Sequence, residues 1–186
     1  MTTSKDWLGV LEAASGDVRR LSYADRFTTI PVNVRENVAE HSYWVAFYAV
    51  LIHRHLFPGE SCEALLGAIT LYALVHDLPE CITGDVVRTF KYSSEALKNA
   101  IDDAEDLMVE KLPPSVQELF PLWKTLAGDG VSYVKAVVKA ADFLSLFQYL
   151  NRERLRGNEE ILPFLERMKD DLHMMGETVA NSTDPD

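Results

Sequence analysis

Apolar residues recur at helical spacing along almost the whole chain, and no stretch alternates apolar and polar residues as a half-buried strand does. The segment 60–77 is apolar nearly all round, which is typical of a buried central helix. A short helix after Pro113 is expected to end at Phe120, because Pro121 follows it. Helices are predicted over 38–55, 60–77, 94–111, 113–120, 131–156 and 161–179, after a short first helix carried by Leu8, Leu11 and Val18.

Two segments interrupt the helical pattern. Residues 21–37 contain β-like side chains, but Pro31 and the polar interruptions favour a structured loop. Residues 78–93 are predicted to form a loop with short turns, because Pro79 and Gly84 interrupt the periodicity.

The length of 186 residues is enough to bury a sizeable core, and no repeat or domain boundary divides the chain. We therefore expect a single all-α domain over residues 1–186. Its parts would be a core at about 20–156, a C-terminal helix at 161–179 and a frayed tail.

The net charge of −11 disfavours a nucleic-acid partner, because binding to phosphate backbones needs a basic surface. A small phosphorylated substrate remains compatible with it. Cys62 and Cys81 have neither zinc-site spacing nor a disulfide framework, which favours a reduced, cytoplasmic setting. No signal peptide and no window of membrane-spanning length is expected, so no membrane partner is predicted.

Side chains that commonly bind metals occur at three places within apolar helical segments. His41 lies near the start of the second helix, and Asp142 lies inside the longest one. His76 and Asp77 close the central helix. A polar group buried without a partner costs free energy, and imidazole together with carboxylate suits divalent metals such as Zn, Co or Mn. The pattern predicts a metal site of two histidines and two aspartates.

Each of these residues also has an explanation without a metal. His76 would be a helix-terminal histidine near the negative end of the helix dipole, and Asp77 would open the next turn. The histidine in the second helix would be held by a glutamate near the helix start, and the aspartate in the longest helix by a lysine of that helix. The candidates are Glu36 and Glu40 for His41, and Lys135 and Lys139 for Asp142. These explanations are independent of one another, whereas one metal accounts for the residues together.

Further polar residues surround this set in the sequence. Glu80 lies about one turn after His76, where a carboxylate that does not bind metal can act as general acid or base, and Asp85 follows it. A phosphate ester would need basic side chains for its remaining oxygens. The nearby basic residues are Arg26, Arg35, Arg88 and Lys91. Phe27 offers a flat surface for a base or sugar, or else anchors the loop.

The order of these residues resembles the HD-domain phosphohydrolase superfamily, which has a His, then His-Asp on a following helix, and then a distant Asp. The runs NVRENVAEHS, HDLPECITGDV followed by KY, and VKAAD resemble the bacterial HD-domain 5'-deoxynucleotidases. Arg26 stands at the same distance before Asn37 as the substrate-loop arginine of that group. The resemblance covers roughly positions 20 to 150.

The resemblance implies an all-α HD-domain bundle around one divalent metal, namely Co, Mn or Zn. The metal ligands would be His41, His76, Asp77 and Asp142. Glu80 would assist catalysis, Arg26 would orient the phosphate, and Asp77 could bridge metal and nucleophile. The turn that contacts sugar and base would consist of Asp85, Val86, Val87 and Arg88. Such an enzyme converts deoxynucleoside 5'-monophosphates to deoxynucleoside and phosphate by attack of metal-bound water.

Two departures from that group fall on substrate-contacting positions. Phe27 stands where the group usually has Trp, and Val86-Val87-Arg88 replaces a Leu-Pro-Thr type of sequence. Both departures leave open which base and how many phosphates the substrate carries. The related phage-type deoxyadenosine triphosphohydrolases use the same metal set and release tripolyphosphate. Arg88 and Lys91 would accommodate the additional phosphates.

A different class of function is a metal-stabilised helical binding protein that uses the acidic 102–110 segment as its partner surface. Glu80 and Arg26 beside the metal ligands argue against it, because stability requires neither. A homodimer or higher homo-oligomer is expected, because large aromatic side chains supply more apolar surface than a small core needs. These side chains are Trp44, Trp123, Phe147 and Tyr149.

Overall fold

A computed structural model describes residues 17–58 and 63–182, without the side chains of Asp17, Arg88 and Asp170. The secondary structure of this part of the chain is helical, apart from one isolated antiparallel bridge between Asp25 and Asn37, and loops connect the helices. The 3-10 helices cover Asp17–Tyr23 and Gly128–Gly130. The α-helices are α1 Val38–Leu56, α2 Glu63–Val75, α3 Glu80–Thr83, α4 Arg88–Lys91, α5 Glu95–Val109, α6 Pro114–Gln117, α7 Leu119–Ala127, α8 Val131–Leu155 and α9 Leu162–Asn181. The all-α prediction is confirmed.

The helix α2 lies at the centre of the bundle, as its apolar pattern predicts. It packs against α1, α7 and α8, while α8 also packs against α1 and α9. Ala68, Ile69 and Ala73 of α2 are completely buried. Two alanines on this surface let neighbouring helices approach closely, and burial of each larger apolar side chain contributes about 1.5–3 kcal/mol.

The segment Glu63–Thr83 is long and apolar enough, by length and composition alone, to span a bilayer. This corrects the expectation that no window reaches that length. The central helix of a water-soluble bundle meets the same criterion. The segment also contains His76, Asp77 and Glu80, and ionisable groups of this kind are expensive in hydrocarbon. We therefore interpret α2 as the core helix of the bundle.

One predicted helix end is wrong, at Pro121. This residue lies in the first turn of α7, which follows α6 almost directly. The first N–H groups of a helix have no partner within the helix, so proline removes no hydrogen bond there. The predicted loop 78–93 contains the short helices α3 and α4, and Gly84 ends α3 with a φ of +72°. The predicted first helix, apart from Val18, lies outside the described residues, as does the predicted tail from residue 183 onward. The part of that tail which is described continues α9 as far as Asn181.

The loop of residues 24–37, which precedes α1, is fixed to α8 through one completely buried carboxylate, that of Glu153. This carboxylate accepts hydrogen bonds from two backbone N–H groups of the loop and from two side chains near the end of α8. The donors are Asn33, Val34, Arg156 and Asn158. Burial opposes ionisation, but these hydrogen bonds outweigh it and lower the pKa of Glu153.

We expect Glu153→Ala to lower the free energy of unfolding by about 3 kcal/mol, because it leaves two backbone N–H groups unpaired. Glu153→Gln should cost less. Because the folded-state pKa is lowered, the carboxylate stabilises the fold above the unfolded-state pKa, and this contribution is lost as the pH falls below about 4. Denaturant unfolding between pH 3 and 7 checks both points. The exposed Glu159→Gln is the control, and a pH-independent gap between wild type and Glu153→Gln would contradict the assignment.

Candidate metal centre and substrate cavity

The helices α1 and α2 bring two histidine rings together. Asn37 starts α1 with a capping box, in which its side chain accepts a hydrogen bond from the Glu40 N–H at 3.0 Å. The Glu40 carboxylate accepts in return from the Asn37 N–H, so it serves the cap rather than His41. His41 is completely buried, and its ring centroid lies 5.9 Å from that of His76, which directly follows α2.

The Nε2 atoms of both rings are buried and have no hydrogen-bond partner among the described residues. Nδ1 of His76 lies 2.8 Å from the Ala73 carbonyl oxygen, so it carries the proton and Nε2 keeps a lone pair. Asp77 Oδ2 lies 3.2 Å from Nε2 of His76 and 3.6 Å from Nε2 of His41. The lone pair on Nε2 of His76 and the Asp77 carboxylate repel one another unless a cation lies between them.

His41, His76 and Asp77 therefore form a potential metal-binding group, with ligand atoms within 4.8 Å of one another. Asp142 approaches from α8, with Oδ1 3.2 Å from Nε2 of His41. Its Oδ2 lies 3.0 Å from Nζ of Lys139, so the predicted alternative ion pair is present as well. The structure thus brings all four predicted ligands together.

The protonation states in this group suit metal binding. Burial, and then the charge of Arg26, lower the pKa of His41, which keeps the imidazole neutral. Burial alone would raise the pKa of Asp142, but the contact with His41 and the Lys139 charge lower it. A neutral imidazole and an ionised carboxylate are the forms that bind metal ions.

A cavity of about 640 Å³ opens beside this group. Small-molecule sites usually measure about 300–1,000 Å³, so the cavity is of a size to hold a nucleotide. His76, Asp77 and Asp142 contribute to its wall. The other lining residues are Tyr72, Pro79, Glu80, Lys91, Lys98, Asp102, Glu105, Lys135, Val138 and Lys139.

Glu80 and Asp85 differ in their surroundings. Glu80 lines the cavity, and its pKa is raised to about 9 by burial and by the charges of Asp77 and Asp85. A protonated carboxyl of this kind can donate a proton to a leaving group. Asp85 accepts a hydrogen bond from the Phe27 N–H, and burial raises its pKa while Arg26 opposes the rise. This hydrogen bond links the turn after α3 to the 24–37 loop.

Arg26 is held by Glu36, which the sequence analysis names as a possible partner of His41 but not of Arg26. Nη1 of Arg26 lies 3.2 Å from Oε2 of Glu36, and the Arg26 N–H donates to the Glu36 carbonyl at 2.9 Å. The same Oε2 lies 3.9 Å from Nδ1 of His41. Burial raises the pKa of Glu36 to about 7, and Arg26 opposes the rise. Glu36 thus connects the predicted phosphate-binding arginine to a predicted metal ligand.

Phe27 packs against α8 and does not present a free ring. Its ring lies parallel to that of Tyr149, with centroids 4.5 Å apart, and the Arg26 guanidinium carbon lies 5.2 Å from its centroid. The Tyr149 hydroxyl donates a hydrogen bond to the Val34 carbonyl at 2.7 Å. These contacts favour the predicted alternative, in which Phe27 anchors the loop. Its contact with substrate stays a prediction.

The remaining predicted substrate residues do not all line the cavity. Lys91 lines the cavity, whereas Val86 and Val87 lie half-buried between α3 and α4 and are not among the described lining residues. The side chain of Arg88 lies outside the described part of the chain. Sequence reasoning missed several lining residues, although Lys135 and Lys139 share one face of α8 with Asp142 by helical spacing. The missed residues are Tyr72, Pro79, Lys98, Asp102, Glu105, Lys135, Val138 and Lys139.

Comparison with known protein families agrees with this geometry. The family model described as 5'-deoxynucleotidase YfbR-like matches residues 16–182. The chain belongs to the YfbR-like 5'-deoxynucleotidase family. The predicted resemblance is confirmed, and so is the expectation of a hydrolytic enzyme of deoxynucleotide metabolism rather than a non-enzymatic binding protein.

Two relatives illustrate the range of activities named among similar proteins. The chain is 34% identical over 152 residues to a 5'-deoxynucleotidase of Yersinia pseudotuberculosis serotype I (strain IP32953), covering 75% of this chain and 73% of the relative. It is 31% identical over 144 residues to the dATP triphosphohydrolase of Salmonella phage PMBT28. That match covers 72% of this chain but 64% of the phage protein, which is less than two thirds of its length.

Solved structures share the fold. An HD-domain phosphohydrolase from Listeria innocua aligns with a TM-score of 0.65 at 20% identity, over 87% of this chain and 81% of its own. The cyanophage S-2L HD phosphohydrolase, solved with dA and one catalytic Zn²⁺, aligns with a TM-score of 0.56 at 20% identity, over 89% and 95%. The predicted HD-domain bundle is thereby confirmed.

We expect the wild-type protein to bind one divalent ion per chain, with Zn²⁺ or Co²⁺ as the titrant in calorimetry. His76→Ala and Asp77→Ala should each weaken binding by about 100-fold or more, because each removes a ligand. The control is His55→Ala, an exposed histidine of α1. Wild-type affinity in His76→Ala would contradict the assignment, and so would an equal loss in the His55 control.

Proposed function

We propose that this protein is a metal-dependent 5'-deoxynucleotidase, which hydrolyses a deoxynucleoside 5'-monophosphate to a deoxynucleoside and inorganic phosphate. The observation that carries the proposal is the pair of buried, unpartnered Nε2 atoms of His41 and His76 facing Asp77 beside a cavity of nucleotide size. Packing alone gives no reason to bury such groups unpaired. The Yersinia relative named for this activity supports the same substrate class.

The resident metal would be a divalent transition ion held by His41, His76, Asp77 and Asp142. Two imidazoles and two carboxylates suit Zn, Co and Mn. The phage structure with one catalytic Zn²⁺ supports zinc as the first ion to test. When bound, such an ion provides Lewis acidity and brings the pKa of a water molecule towards neutrality.

The protein's own residues would supply the other parts of the reaction. Glu80, which lines the cavity, would move the proton that the departing 5'-oxygen needs. Arg26, oriented by Glu36, would stabilise negative charge that develops on the phosphate oxygens. Asp77 would also orient the nucleophile. The contacts to sugar and base would come from Phe27, Asp85, Val86, Val87 and Arg88.

A second candidate activity is the release of tripolyphosphate from a deoxynucleoside triphosphate. The observation that favours it is the set of lysines in the cavity wall, which offers positive charge to a longer phosphate chain. These lysines are Lys91, Lys98, Lys135 and Lys139. The relative from phage PMBT28, named a dATP triphosphohydrolase, supports the same alternative.

A product-resolved panel of deoxynucleoside mono- and triphosphates, with Zn²⁺, Co²⁺ or Mn²⁺ added, tests both activities. We expect inorganic phosphate from the monophosphates, whereas tripolyphosphate as the main product would identify the second activity. Glu80→Gln should lower kcat by about 10²–10⁴-fold, with metal content unchanged. The exposed Glu118→Gln is its control. Metal-replete protein that turns over no deoxynucleotide would contradict the proposed function.

We propose that the active form is a homodimer in the cytoplasm, with the whole chain as one domain. Two of the four aromatics that suggested a dimer, Trp123 and Tyr149, are buried in the core. The helix α1 instead exposes Tyr43, Phe47 and Leu51 at four-residue spacing, which forms one apolar stripe for a second copy to cover.

We expect light scattering to give a dimer mass for the wild type and a monomer mass for Phe47→Glu, because the variant places a charge in the stripe. Leu155→Glu, at an exposed position near the end of α8, is the control. A monomeric wild type would contradict the proposed dimer, but it would not bear on the proposed reaction.

A further inference from the structure

Ion pairs of two lysines with acidic residues of α5 form one wall of the cavity; Lys91 ends α4, and Lys98 lies on α5 itself. Nζ of Lys91 lies 3.0 Å from Oδ1 of Asp102 and 2.7 Å from Oε1 of Glu105. Nζ of Lys98 contacts the other carboxylate oxygen of Asp102. The two acidic residues are three positions apart on α5, so helical spacing brings both to the same face. All four side chains line the cavity.

These pairs are more than solvated surface charges, because Lys91 is partly enclosed. Its side chain is 18% exposed, against 41% for Asp102 and 27% for Glu105. Burial alone would lower the pKa of Lys91, but the hydrogen bonds to Glu105 and Asp102 raise it, so the ammonium stays charged and directed at α5. The lysine is therefore held by two carboxylates within the cavity.

This wall lies where it can influence how many phosphates a bound substrate carries. The phosphate attacked must lie next to the candidate metal ligands, of which His76, Asp77 and Asp142 line the same cavity. Any further phosphates are bonded to it and must occupy the space nearby. There they would meet the carboxylates of Asp102 and Glu105, while Lys91 is already paired.

We propose that Asp102 and Glu105 are specificity-determining residues that disfavour di- and triphosphates by repelling the phosphate chain and by holding Lys91 and Lys98 away from it. This inference rests on the proposed deoxynucleotide phosphohydrolase activity. The four cavity lysines alone would favour a longer phosphate chain. The two carboxylates oppose them, and the balance sets the preference for a monophosphate.

The decisive variant is Asp102→Asn/Glu105→Gln, which removes both charges and keeps the side-chain shapes. The matched control is Asp103→Asn/Asp106→Asn, which changes the net charge equally at exposed positions of the same helix. The ratio of kcat/KM for dATP to that for dAMP should rise about tenfold in the first variant and less than twofold in the control. Equal ratios in the two variants, or no change in either, would overturn the proposal.

A second arm separates this proposal from the proposed function. Calorimetry with inorganic tripolyphosphate on the metal-loaded protein should show about tenfold tighter binding to Asp102→Asn/Glu105→Gln, and unchanged binding to the control. We expect the same binding result even if the wild type hydrolyses no deoxynucleotide. Such a lack of activity would contradict the proposed function but not this inference. If the double variant fails to fold by circular dichroism, Glu105→Gln alone, which keeps the Lys98–Asp102 pair, should still tighten tripolyphosphate binding. Unchanged binding in both variants would refute the proposal.

Discussion

The rest of the site depends on one interaction, the convergence of two buried imidazole Nε2 atoms and the carboxylate oxygens of Asp77 and Asp142 on one space. His41 and His76 reach this space from the beginning of one helix and the end of another, so small shifts of either helix would separate them. The capping box at Asn37 sets where α1 begins, and the nearly all-apolar surface of α2 sets how deeply that helix lies. The arrangement costs free energy unless a cation is bound, so the stability of the site and its chemistry have the same requirement.

A second set of restraints orients the loop beside the metal group. Residues 24–37 have no regular structure beyond one bridge, so their geometry depends on buried acidic side chains. Glu36 holds Arg26, Asp85 accepts from the Phe27 N–H, and Glu153 accepts from two further N–H groups. A loop that is fixed by hydrogen bonds from several elements can position a charged side chain almost as firmly as a helix does.

The helices, and the proximity of the four candidate metal ligands, could be predicted from the sequence, because both leave local signals. Apolar periodicity marks the helices, and the four candidate ligands are polar residues within apolar segments. The hydrogen-bond partners of the 24–37 loop could not be predicted, because Glu153 and Asn33 are 120 positions apart and neither lies in an unusual local sequence. The pairs of Lys91 with Asp102 and Glu105 also depend on how α4 and α5 pack. Acidic residues on an amphipathic helix give no indication of which of them face a cavity.

The distance in sequence between the loop and its anchor has a consequence for folding during synthesis. A chain emerges from the ribosome beginning at its N-terminus, so residues 24–37 are synthesised long before Glu153 of α8, which accepts their hydrogen bonds. Contacts of such long sequence separation form late, after closure of a large loop of chain. The helices α1 and α2 can therefore bring His41 and His76 together while Arg26 still lacks the restraint that α8 provides. Three of the four candidate metal ligands would then be assembled before α8 adds Asp142 and fixes the loop that carries Arg26.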